Sequence, residues 1–190
     1  MRNGTGIENR RHLRQSDRVK ALNYLLLTFV IAVLVGCGHA HPPAAPSVDD
    51  LLPTKAQPKL RTMKIYVGAE VLDAELALND KEEMTGMMFR TNILETDAML
   101  FVLPYTQRAN FWMKNCPESI SAAYINANGN IEEIHHLEQN DTNGVRSASE
   151  NIRFVLETRE GWFTRHNITP GTSISTEKGS LAEVFLQHRQ

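Results

Sequence analysis

The chain has 190 residues, 42% hydrophobic, 22% charged and 7% aromatic, which is enough for the core of one ordinary domain and too little for two. Two cysteines exclude a disulfide framework, and the composition excludes wholesale disorder and a collagen-like repeat. The formal charge is −2, and because the first 36 residues hold six of the 20 Lys and Arg but two of the 22 Asp and Glu, the remainder carries 14 basic against 20 acidic groups, which argues against binding nucleic acid by counterion release.

Arg2, Arg10, Arg11, Arg14, Arg18 and Lys20 precede an apolar run over residues 24–35 that only Thr28 interrupts. A basic segment, a short apolar segment and small residues at the boundary predict a secretory signal over 1–36. The run is short of the roughly 20 apolar residues of a spanning helix. Leu34-Val35-Gly36-Cys37 resembles the bacterial lipobox, which implies that Cys37 is acylated and becomes the first mature residue, with membrane lipid as its partner. A short signal anchor, or a cut near Ala40, is the alternative. Gly38 after the cysteine, rather than Asp, implies the outer membrane in a two-membrane bacterium, on the non-cytoplasmic side of the envelope. Arg10-Arg11 leaves general and twin-arginine export both open. Residues 37–60 are rich in Pro and Ala and hold five prolines, predicting an extended tether in which His39 and His41 are solvated.

The folded domain is expected over 61–176, as an α+β, β-rich single compact domain of antiparallel strands with a few short helices. Met63, Ile65 and Val67 alternate with polar or amphipathic residues, and Leu72, Ala74, Leu76 and Leu78 do so again after a turn at Gly68-Ala69. Asn79 and Glu82 predict a capped helix over 80–84, ended by Gly86. Residues 98–103 read as an apolar strand stopped by Pro104, and 110–114 as an aromatic one. Strands at 120–125 and 131–137 flank Asn126-Ala127-Asn128-Gly129, a hairpin signal. A strand at 152–157, one or two helical turns over 159–166 closed by Asn167, and a strand at 172–175 follow. Ser180 and Glu183 cap a short helix in the tail, 177–190.

The chain lacks a phosphate-cradling loop, a dinucleotide fingerprint, a nucleophile elbow and the His-Glu-x-x-His zinc pattern, so no cofactor and no metal is expected. The densest polar and aromatic segment is Phe111-Trp112-Met113-Lys114-Asn115-Cys116-Pro117. On a strand, Trp112 and Lys114 face one way and Phe111, Met113 and Asn115 the other. A Lys beside a Trp, with an amide close by, suits a carboxylate, a phosphate or a sugar hydroxyl. The competing reading has Lys114 lying over an apolar face while Trp112 fills the core.

Gly86-Met87-Met88-Phe89-Arg90, Ala98-Met99-Leu100-Phe101, Phe111-Trp112-Met113-Lys114-Asn115, and Val155-Leu156-Glu157 with Gly161-Trp162-Phe163 follow in an order and spacing that resembles a bacterial and archaeal family, the domain of unknown function numbered 192. The resemblance covers about 61–176 and implies a small β-rich fold, often secreted or lipid-anchored, without an activity to transfer. It also implies Arg90, Lys114, Asn115 and Glu157 as the recurrent polar positions. The chain departs from the family at Cys116, usually Thr, and at Ser119-Ile120-Ser121, where the family has Pro-Leu-Asp and its acid.

These readings converge on an envelope lipoprotein that binds a small polar or anionic ligand, or an envelope protein, through Arg90, Trp112, Lys114, Asn115 and Glu157. In that site Arg90 offers a fork, Lys114 a point charge, and Glu157 either orients Arg90 or accepts a ligand hydroxyl; an Arg90–Glu157 pair that is purely structural is the alternative. Two other functions stay open. One is an enzyme with Cys116 as nucleophile, aided by Lys114, His135 or His136. The other is a Cu(I)-binding protein using Met84, Met87, Met88, Met99 and Met113, although methionine fills cores readily. Glu132-Glu133 reads as an exposed strand edge, and His135 and His136 face opposite ways.

Overall fold

The computed structural model describes residues 52–187. The predicted signal, Cys37, the tether as far as residue 51, and the last three residues lie outside the described residues. In chain order the elements are β1 (Thr62–Val67), β2 (Glu70–Ala77), α1 (Asp80–Thr85), β3 (Asp97–Gln107), β4 (Asn110–Phe111), β5 (Ile120–Asn126), β6 (Ile131–Leu137), β7 (Val145–Arg146), β8 (Ile152–Arg159), α2 (Trp162–Arg165), β9 (Ile174–Thr176), β10 (Gly179–Ser180) and α3 (Leu181–Phe185). The domain is β-rich, as its composition and periodicity predict.

An eight-stranded sheet runs β10-β9-β1-β2-β3-β8-β5-β6, and β4 pairs with β7 apart from it. Every pairing is antiparallel except β2 with β3. Two parallel strands need a crossover, and α1 with the loop after it supplies one. Asn79 caps α1 as its sequence predicts, accepting from the Glu82 N–H at 3.1 Å. The Glu82 carboxylate reaches back to the Leu78 N–H at 2.8 Å.

The sheet curls until its two ends meet. The Ile131 N–H donates to the Thr172 carbonyl at 3.0 Å, and the Ile174 N–H to the Gly129 carbonyl at 2.8 Å. Gly129 permits this: its φ is +85°, and a Cβ there would lie 2.9 Å from the Ile174 carbonyl oxygen. The enclosed face buries Ile65, Leu72, Leu100, Phe154, Leu156, Trp162 and Leu181. The opposite face carries Ala77, Met99, Phe101, Ala122, Tyr124 and Val155, covered by Met87, Met88, Met113 and Cys116 from loops.

Three expectations are corrected. Strand β3 does not stop at Pro104 but continues to Gln107; the pairing with β8 shifts register between Val102 and Gln107, and such an irregularity accommodates a residue without an N–H. The strand expected over 110–114 ends at Phe111, because the chain turns at Asn115, whose φ is +59°. The domain also exceeds 61–176. Leu181 is fully buried in the enclosed core, and the Ser180–Glu183 capping box is complete. At the other end Leu52 is buried, and the Gln57 amide donates to the Gly86 carbonyl at 3.0 Å, so the last part of the expected tether packs on the domain.

Replacing Leu181 by Ala is expected to cost about 3 kcal/mol, within the usual range for emptying a buried leucine site. Urea unfolding checks this through a lowered midpoint at unchanged slope; a change below about 0.5 kcal/mol would return α3 to the status of a tail.

Candidate functional site

Sheet register brings two acids onto the covered outer face. Glu75 on β2 pairs with Met99 on β3, Met99 with Glu157 on β8, and Glu157 with Ala122 on β5. Residues directly opposite in a ladder share a face, so Glu75 and Glu157 flank Met99, roughly 10 Å apart at ordinary strand spacing.

Their fates differ. Glu75 accepts both terminal nitrogens of Arg90, at 2.6 and 2.9 Å, and the Leu60 N–H at 2.6 Å. The expected Arg90–Glu157 pair is thus replaced by Arg90–Glu75. Strand alternation alone assigns Glu75 to solvent; only the loops covering the outer face bury it. The Arg90 Nε is itself buried without a hydrogen-bond partner. Glu157 is 4% exposed, and burial pushes its carboxyl up to about 8. At neutral pH it is an uncharged acid.

Cys116 lies close to Glu157, in a turn closed by its N–H donating to the Met113 carbonyl at 3.0 Å. It is buried, and its thiol donates to the Lys114 carbonyl at 3.7 Å. Burial, and then the Glu157 carboxyl, push that thiol up to about 12. A nucleophile needs the thiolate, which this site disfavours. The histidines are engaged elsewhere. His135 shares a 2.8 Å hydrogen bond with Glu133 and lies 4.7 Å from the Tyr124 ring, while His136 contacts Glu138 and Glu160. Glu133 is not a free strand edge, for its carboxylate accepts the N–H groups of Ala148 and Ser149 at 3.0 and 2.8 Å. Tyr124 donates its hydroxyl to the Val145 carbonyl, and burial raises its pKa. Among the described residues no three His, Cys, Asp or Glu side chains are grouped to hold a metal. Met87, Met88, Met99 and Met113 belong to the buried cluster, and Met84 stands half-exposed outside it.

Two loops close over these acids. The Phe89 N–H donates to the Asn115 carbonyl at 2.7 Å, and both residues hold left-handed backbone, with φ of +60° and +59°. That conformation is unusual for an aromatic residue and tolerable for Asn. Asn115 therefore joins the loops through its backbone. Beyond it, Trp112 is half-buried, with the Lys114 ammonium 5.7 Å from its ring centroid. Trp112 lines an open cleft of about 400 Å³ with Phe111, Met84, Asp80, Gln107 and Asn110 among its walls. Arg90 lines a separate cleft of about 130 Å³ with Lys59, Glu75 and Asp97. The structure thus groups Trp112 with Lys114, sets Arg90 with Glu75, and leaves Glu157 beneath the loops. Asp80, Gln107 and Asn110 carry no sequence signal of a site: each is a polar residue in or beside a regular element.

The profile of the DUF192 family, described as Uncharacterized ACR, matches residues 63–176. No curated protein matches the chain. Five solved chains match it, among them the following two. A candidate transcription regulator from Sinorhizobium meliloti shares 24% identity with a TM-score of 0.60, over 64% of this chain and 98% of its own. A protein of unknown function from Novosphingobium aromaticivorans shares 23% identity with a TM-score of 0.59, over 69% of this chain and 98% of its own. At these identities the likeness shows the fold.

Burial of Glu157 gives stability a pH dependence. Between the ordinary glutamate value and about 8, the unfolded chain has lost the Glu157 proton while the folded one keeps it. Stability therefore falls as pH rises across that window, by about 1.4 kcal/mol per unit at most, and levels off above it. Urea unfolding at a series of pH values should show this decline in the parent protein and lose it in Glu157→Gln. An equal decline in both would assign the proton uptake to another group.

Proposed function

The chain belongs to the DUF192 family, and from that premise we propose that it is an envelope lipoprotein whose β-rich domain binds a small polar ligand in the cleft beside Trp112. Acylated Cys37 tethers it on the non-cytoplasmic side, at the outer membrane where the cell has two. The basic segment, the apolar run over 24–35 and Leu34-Val35-Gly36-Cys37 support the anchor. Each buried methylene of an acyl chain contributes about 0.8 kcal/mol, and two or more chains hold a protein stably on a leaflet.

The observation that carries the binding reading is the cleft itself. It sets two aromatic side chains, Phe111 and Trp112, beside polar groups within a volume of about 400 Å³, the proportions of a small-molecule site. Binding is favoured over catalysis because Cys116, the mature chain's only thiol, is buried and protonated. Arg90 and Glu157 serve this site from below: Arg90 pins one covering loop to Glu75, and Glu157 underlies the turn that carries Lys114 and Asn115.

Two measurements test the reading. In fractionated cells the parent protein should sediment with membranes and incorporate a fatty-acid label, whereas Cys37→Ser should lose the label and become soluble. A variant that stays firmly membrane-bound would make residues 24–35 the anchor instead. Thermal unfolding against a panel of sugars, phosphates and carboxylates should show a raised midpoint, by roughly 5 to 11 °C for a site filled at a hundred times its dissociation constant. Trp112→Leu should abolish the shift. A flat response to the whole panel would count against a small-ligand site.

A further inference from the structure

The cleft beside Trp112 also discriminates among classes of ligand. Among the described residues the side chains of Asp80, Gln107 and Asn110, which line it, make no hydrogen bond or ion pair with the protein. Their lone pairs and amide hydrogens are available to a ligand. The basic groups are placed differently. Arg108 donates to the Ser147 and Ala148 carbonyls at 3.1 and 2.5 Å and pairs with Glu150 at 2.7 Å. The Lys114 ammonium stands 5.7 Å from the centroid of the Trp112 ring.

Charge then disfavours one class. An anion entering the cleft meets the Asp80 carboxylate and finds the Arg108 guanidinium already engaged by a carboxylate and two carbonyls. A neutral ligand avoids that cost and can use the amides of Gln107 and Asn110 as both donors and acceptors. The apolar wall is built in advance, since Phe111 packs edge-on against Phe101 with centroids 5.0 Å apart and lies 6.0 Å from the Tyr124 ring. A wall fixed from behind needs little ordering when a ligand arrives.

We propose that the cleft binds a neutral polyhydroxylated ligand, a glycan, with its C–H face on Phe111 and Trp112 and its hydroxyls on Asp80, Gln107 and Asn110. This rests on the binding function proposed above and adds the ligand's class. A pyranose presents both an apolar face and a rim of donors and acceptors, and aromatic side chains beside amide and carboxylate groups match the two together.

The test uses the full-length chain, titrated by calorimetry and tryptophan emission with maltose, cellobiose and N,N′-diacetylchitobiose, and in parallel with choline and citrate. Trp162 is 2% exposed in the enclosed core, so a ligand-dependent emission change reports on Trp112. At least one disaccharide should bind saturably. Gln107→Ala should then weaken it roughly fivefold, the equivalent of one hydrogen bond, and Trp112→Leu by more than about tenfold, while Lys64→Ala on β1 leaves affinity unchanged. Binding of choline or citrate with none of a disaccharide would overturn the ligand class and leave the binding function standing. Silence from every probe would remove both. Disaccharide binding indifferent to Gln107→Ala and Trp112→Leu would place the sugar elsewhere and overturn the assignment.

Discussion

The fork between Arg90 and Glu75 holds the outer face of the sheet together. A curled sheet encloses one face by its own geometry; the other must be covered by whatever chain is left over. Here the cover is a pair of loops, and Arg90 fastens the first of them to β2 through two hydrogen bonds at 2.6 and 2.9 Å. Glu75 also accepts the Leu60 N–H, so the chain entering the domain is tied to the same carboxylate. The second loop hangs from the first through Phe89 and Asn115. Removing one partner of a buried ion pair leaves the other charge uncompensated, and in this protein that charge would sit under the whole cover.

The arrangement links stability to the cleft. Helix α1, which supplies Asp80, sits in the crossover between β2 and β3, and the bend of β3 past Pro104 carries Gln107 out to meet it. Together they leave a gap between a helix and a strand end, walled by the aromatic residues of β4 and the turn after it. The polar lining of that gap comes from side chains in or beside regular elements.

Much of the fold was legible in the chain. Strict alternation at Met63, Ile65 and Val67 gave β1, the Asn-Gly-containing turn gave the β5–β6 hairpin, and Asn79 and Ser180 marked two helix starts, because each of these signals is local. What was illegible is non-local. Glu75 reads as a solvent-facing residue until loops from distant sequence cover it, and the expected Arg90–Glu157 pair fails because partner choice depends on register across three strands. Pro104 reads as a stop, but an irregularity in the ladder absorbs it. Of the candidate site, the aromatic segment with Trp112 and Lys114 was visible as a composition peak. Asp80, Gln107 and Asn110 were not, since a single polar residue comes to line a cleft only through its position in space.

The pairing of β1 with β9 has a bearing on how the domain folds. Tyr66 lies opposite Ser175, so the first strand receives one of its two neighbours from a strand far along the sequence. Pairings between residues so far apart in sequence form slowly, because the intervening loop must close before the contact returns any energy. The β1–β9 closure is therefore expected after the β1–β2 and β5–β6 hairpins, whose partners are neighbours in sequence.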